Sequence, residues 1–124
     1  MNQRTTIITG GILAALAVAI GAFGAHGLKE ILTENQRTET FELAVKYQFY
    51  HAFGILITGV LMNFYSDRKL SLAAIFFLVG IILFSGSLYV LSLTGIAKLG
   101  AVTPFGGVGF IVGWVLVVLG VAKK

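Results

Sequence analysis

The sequence predicts an all-α membrane protein, a four-helix transmembrane bundle with a short amphipathic outer segment between helices 1 and 2. Two observations carry that prediction. The 124 residues are 57% hydrophobic and only 11% charged, against about 25% charged in soluble proteins. Four uncharged runs, 7–25, 47–65, 70–97 and 99–122, each reach the roughly 18 residues read as a spanning helix. The whole chain, 1–124, reads as a single domain.

The net charge of +4 does not point to nucleic acid, because the basic residues sit at the ends of apolar runs and form no stripe that tracks phosphates. If four helices alternate, Arg4, Arg68, Lys69, Lys123 and Lys124 fall on one side and Lys29, Arg37, Lys46 and Lys98 on the other. The excess on the first side favours cytoplasmic N- and C-termini in a multi-pass protein of the cytoplasmic membrane. Cysteine is absent, so disulfides are excluded.

The first run starts basic and turns apolar, as a signal peptide does, and Ala19-Ile20-Gly21 would pass as a cleavage site. It is read here as a retained first span. Gly10, Ala14, Ala17, Gly21 and Gly24 recur along it at spacings of three and four, placing small residues on one face where another helix can approach closely. Gly27 suits a left-handed cap, and His26 lies near the negative end of the helix dipole.

Leu28, Ile31 and Leu32 then share one face among Lys29, Glu30 and Glu34, a segment suited to lying in the membrane interface. Thr33 with Gln36 matches a capping box, and Thr38 followed by Glu39 offers a second helix start. From 38 to 65 nothing breaks the helix, which at 1.5 Å per residue gives about 42 Å, some 12 Å beyond a typical hydrocarbon core. Glu42 precedes Lys46 by one turn on one face, the favourable order for an ion pair. Tyr47, His51, Gly54 and Thr58 line the opposite face.

A hairpin at Ser66-Asp67 leads into the third run, whose first half is hydrocarbon and whose second half carries Ser85, Tyr89 and Ser92. Thr103-Pro104 then starts the last helix, threonine as cap and proline in the first turn. Gly106, Gly109, Gly113 and Gly120 make its small-residue face, with Trp114 deeper than an interfacial tryptophan normally lies.

Together, residues 21–27 (GAFGAHG), 47–51 (YQFYH), 84–89 (FSGSLY) and 103–107 (TPFGG), with Gly113-Trp114, resemble the small bacterial membrane proteins of the YwdK/YgdD type. That family is catalogued as domain of unknown function 423 and is related to transmembrane protein 256. The resemblance spans nearly the whole chain in order. It implies a four-helix integral membrane protein of the cytoplasmic membrane and carries no activity with it.

The outer helix ends gather His26, Tyr47, Gln48, His51, Ser85, Tyr89, Ser92 and Thr103, the candidate ligand-binding residues. An ionisable or polar side chain inside a bundle is a functional-site hypothesis, because burial without a partner is costly. His51 bonded to Tyr89 or Ser85 would instead join helices, and His26 would serve as a cap. Three function classes follow. The favoured one is a non-enzymatic interaction or accessory protein, whose partners are membrane lipids, other membrane proteins or a second copy, docked through its glycine stripes and amphipathic outer segment. An outward-facing pocket for a small polar ligand or lipid headgroup, or an oligomeric channel or transporter, is the alternative, although no acid lies within a span to relay protons or ions. A haem or metal held by His26 and His51 rests on two histidines alone. No cofactor, metal or catalytic residue is assigned, since Ser85 and Ser87 have no intramembrane acid to orient a histidine.

Overall fold

The computed structural model describes residues 1–122; Lys123 and Lys124, counted above in the charge bias, lie outside them. Among the described residues all regular structure is helical: α1 Gln3–His26, α2 Lys29–Glu34, α3 Thr38–Leu61, α4 Arg68–Thr94, a 3-10 helix Ala97–Ala101, and α5 Thr103–Ala122.

Each boundary has a local cause. Asn2 caps α1, its side chain accepting from the Thr5 amide at 2.9 Å, which satisfies one of the helix's free N–H groups. Gly27 ends α1 in a right-handed conformation, φ −75°, so the expected left-handed cap does not form there. The capping box expected at Thr33 does not form, whereas the second expected start, Thr38, is where α3 begins. The Thr33 hydroxyl turns back to the Lys29 carbonyl at 2.7 Å, and α3 starts after Arg37 without a side-chain cap.

The second long helix is four residues shorter than expected. After Leu61 the amides of Asn63 and Phe64 bond three residues back, to Val60 and Leu61, tightening the last turn as helix ends often do. Asp67 caps α4 by accepting from the Lys69 amide at 2.8 Å. Gly95, φ +74°, ends α4 in the left-handed region, where a glycine carries no Cβ penalty. Pro104 falls in the first turn of α5, where a missing amide costs no helical bond.

The long helices pack in chain order, α1 on α3, α3 on α4 and α4 on α5, with a slight α3–α5 contact. They form an open row with α1 and α5 at its edges. The N-terminal ammonium donates to Ser71 Oγ at 2.6 Å, and Gln3 Nε2 donates to the Gly59 carbonyl at 3.0 Å. One end of the row therefore holds the starts of α1 and α4 and the end of α3. At the other end Asn35 Nδ2 donates to the Ser92 carbonyl at 3.0 Å, tying the α2–α3 turn to the end of α4. Buried Leu32 anchors α2.

Glycines set the helix spacing. A Cβ on Gly10 would lie 2.8 Å from Leu56 and one on Gly21 3.2 Å from Val45, while one on Gly24 would strike the Phe41 ring. Thus Gly10, Gly21 and Gly24, with buried Ala17 and half-buried Ala14 between them, turn to α3. On α5, Gly109 lies over the α4 backbone at Gly80, and Gly113 leaves room for Phe77. Close backbone approach of this kind suits helices that gain no hydrophobic drive from lipid.

Segments Gln3–His26, Arg68–Thr94 and Ala97–Ala122 are long and apolar enough to cross a membrane. Helix α3 matches α1 in length, 24 residues each. Lys46, Gln48 and His51 make it the least apolar of the long helices. The Glu42–Lys46 ion pair expected along it is not formed among the described residues, where Lys69 and Asp67 make one at 3.6 Å.

Candidate functional site

The polar stretch at 47–51 sits where α3 is flanked by neighbours on both sides, and the roughly 100° step from one helical residue to the next divides its residues between them. Gln48 faces α1 and α4. Its Nε2 donates to the Leu13 carbonyl of α1 at 2.9 Å, and its Oε1 accepts from the Tyr89 hydroxyl of α4 at 2.5 Å. One amide thus joins three helices. The Tyr89 ring also lies against Phe41, centroids 5.5 Å apart.

Tyr47 and His51 face α4 and α5. The His51 imidazole, 5% exposed, stacks on Phe110 with centroids 3.5 Å apart and planes 9° from parallel. Its Nδ1 lies 2.9 Å from the Tyr47 carbonyl, and its Nε2 lies 3.1 Å from the indole Nε1 of Trp114. An indole N–H only donates, so Nε2 is the acceptor and the proton sits on Nδ1, donated to the carbonyl. Both ring nitrogens are used inside the protein, which leaves no lone pair for a haem iron or a metal in this arrangement. The interhelical partner of His51 is Trp114, in place of the Tyr89 or Ser85 anticipated from sequence.

Around this pair Phe77 meets Trp114 edge-on at 4.6 Å, and Tyr47 stacks on Phe84 at 4.6 Å. Phe77, Phe84, Phe110 and Trp114 were not singled out as site residues, although the unusual depth of Trp114 signalled one of them. Their packing around His51 needs the helix rotations, which spacing within one helix does not contain.

The remaining expected residues scatter. Ser85 Oγ donates to the Ala44 carbonyl of α3 at 2.7 Å, and Ser92 Oγ to its own helix at Leu88 at 2.7 Å. Thr103 meets Ser87 at 2.6 Å, stitching α5 to α4. His26 is exposed in the last turn of α1, a helix that packs on the side of the row away from α5. Tyr47, His51 and Trp114, with Phe84, Phe110 and Gly107, border a groove of about 470 Å³ between α3, α4 and α5. Among the described residues no three histidine, aspartate or glutamate side chains converge on a common point.

A family model described as "Protein of unknown function (DUF423)" matches residues 20–107. The chain belongs to this family. The DUF423 match runs from the last turns of α1 to the first turn of α5 and so contains every candidate ligand-binding residue. Over 122 residues the chain is 43% identical to the UPF0382 membrane protein YwdK of Bacillus subtilis, covering 98% of each. It is 45% identical to a UPF0382 membrane protein of Staphylococcus saprophyticus, over 98% of this chain and 99% of that one. A Staphylococcus aureus relative, also named a UPF0382 membrane protein, is 44% identical over 98% of each chain. No solved structure matches. Apolar helices of spanning length and relatives named as membrane proteins put this DUF423 member in a membrane.

Proposed function

We propose that this DUF423 protein crosses the cytoplasmic membrane four times with both termini cytoplasmic, and that it is a non-enzymatic accessory protein which docks against another membrane protein or a second copy. The contact between the N-terminal ammonium and Ser71 carries the four-span reading. It makes α1 and α4 parallel, so a chain that crosses in both has to return between them, and α3 is the one long helix there. Its outward residues Tyr50, Phe53, Ile57 and Val60 are what lipid would meet, while Gln48, His51 and Thr58 are bonded inside. Arg4, Arg68 and Lys69 at the shared end support its cytoplasmic placement.

The accessory reading is supported by how the interior polar groups are spent. Ser85, Gln48 and His51 all hold helices together, and the glycine stripes pack on the chain's own helices, which leaves the outer faces for partners. Single cysteines at Ser66 and Lys98, in a chain without native cysteine, test the topology: an impermeant maleimide should label Lys98→Cys in intact cells and Ser66→Cys only after permeabilisation. A photo-crosslinking residue at Ile12 or Phe53 should give a discrete protein adduct in native membranes. Adducts with lipid alone at both positions would overturn the accessory reading.

The groove beside Tyr47 and His51 favours a second reading, a pocket for a small ligand. A Cβ on Gly107 would meet nothing within 4 Å, so Gly107→Leu should fill that groove without disturbing the helices. Loss of ligand-induced quenching of Trp114, the single tryptophan, would then support this reading over the first.

A further inference from the structure

A cavity of about 430 Å³ opens between the end of α1, α2 and the start of α3. Its floor is apolar, made by Gly21, Gly24, Phe41 and Leu32, and Leu32 and Phe41 are buried. Its rim carries two cations, Lys29 from α2 and Lys46 from α3, against one carboxylate, Glu42. Among the described residues neither lysine is in an ion pair.

Lys46 stands eight residues beyond the start of α3, about 12 Å along the helix axis. The uncharged run 47–65 begins at the next residue, so Lys46 stands at the membrane edge, where its four-carbon stem lies on apolar surface while the ammonium reaches for the headgroups. Among the described residues Lys46 makes no ion pair, Glu42 one turn back included, and the cavity it lines has an apolar floor and two cations against one carboxylate on its rim. An anion joined to a hydrocarbon chain satisfies both features together.

We infer that this cavity binds the headgroup of an anionic phospholipid of the phosphatidylglycerol type. Lys29 and Lys46 hold the phosphate from two sides. Glu42, one turn from Lys46, accepts hydrogen bonds from the glycerol hydroxyls. An acyl chain lies along the outer edge of Gly21 and Val45. The inference rests on α3 crossing the membrane and does not depend on an accessory role.

Thermal unfolding of the full chain in a neutral detergent, titrated with dioleoylphosphatidylglycerol, dioleoylphosphatidylcholine or soluble glycerol phosphate, tests it. Phosphatidylglycerol should raise the midpoint saturably, with the other two having little effect. Lys29→Gln with Lys46→Gln should weaken the apparent affinity about tenfold or more, and Lys46→Arg should keep most of it. Ala25→Phe, which fills the cavity from α1, should abolish the shift with both charges in place, and Lys98→Gln on the exposed 3-10 helix should leave it unchanged. Equal stabilisation by phosphatidylcholine, an equal effect of glycerol phosphate, or wild-type affinity in the lysine pair variant would each overturn the proposal. A maleimide pattern in intact cells that denies the α3 crossing would remove its premise separately.

Discussion

The indole of Trp114 donates to Nε2 of His51 across 3.1 Å, a bond between helices whose residues lie 63 positions apart in the chain. It fixes the imidazole tautomer and, beside the His51–Phe110 stack, ties α5 to α3. Trp114→Phe removes the donor and leaves a buried acceptor unpaired, which should cost about 1 to 2 kcal/mol. His51→Leu removes both members' claim on the bond, so adding Trp114→Phe to it should cost less than Trp114→Phe alone. Far-UV unfolding midpoints in detergent for the four proteins of the cycle check this; strictly additive losses would show the bond to be inert.

Gln48 and Tyr89 make a second coupled pair on the other side of α3. Tyr89→Phe leaves Gln48 Oε1 without its donor, while Gln48→Leu frees the tyrosine hydroxyl and also breaks the bond to the Leu13 carbonyl. The expected order of destabilisation is therefore Gln48→Leu above Tyr89→Phe, with the latter about 1 kcal/mol. Because both sites share one hydrogen bond, the double variant should fall short of the sum.

These two pairs mark where sequence reading stops. Apolar run length was enough to place three spans, since lipid demands uninterrupted helices: the runs at 7–25, 70–97 and 99–122 became α1, α4 and the Ala97–Ala122 segment. Spacing also put Gly10, Ala17, Gly21 and Gly24 on one face. Which neighbour each face meets depends on helix rotation, so the partner expected for His51 was Tyr89 or Ser85 of α4, where the structure has Trp114 of α5. The end of α3 was missed because no glycine or proline marks it, and the tightened turn after Leu61 is a choice the backbone makes through Val60 and Leu61 carbonyls.

The glycines that end α1 and α4, Gly27 and Gly95, should differ in what a Cβ costs, although Gly27 is the one whose sequence context suggests a left-handed cap. Gly95 holds φ +74°, so Gly95→Ala forces a left-handed alanine and should lower stability by about 1 kcal/mol. Gly27 is right-handed, and a Cβ there would meet the Phe23 ring at 2.6 Å. Phe23 is 61% exposed and its ring is free to swing outward. Gly27→Ala should therefore cost less than Gly95→Ala, and combining it with Phe23→Ala should remove the remaining cost. Unfolding midpoints of the three variants check the order.

Adjacent glycines on α5 separate packing from helix propensity most sharply. A Cβ on Gly106 would lie 2.8 Å from the Phe84 Cα and collide with the Phe84 amide nitrogen. Both are backbone atoms of α4 and no rotamer change relieves them. The helices would have to part, opening the Ser87–Thr103 contact that lies one turn away. Gly106→Ala should then cost about 2 kcal/mol or more, in the range of overpacked cores. A Cβ on Gly107 meets nothing within 4 Å, and alanine is the better helix former by up to about 1 kcal/mol. Gly107→Ala should leave the unfolding midpoint unchanged or raise it. The same loss in both variants would mean that glycine serves α5 through backbone flexibility, and that the close approach to Phe84 is not what selects it.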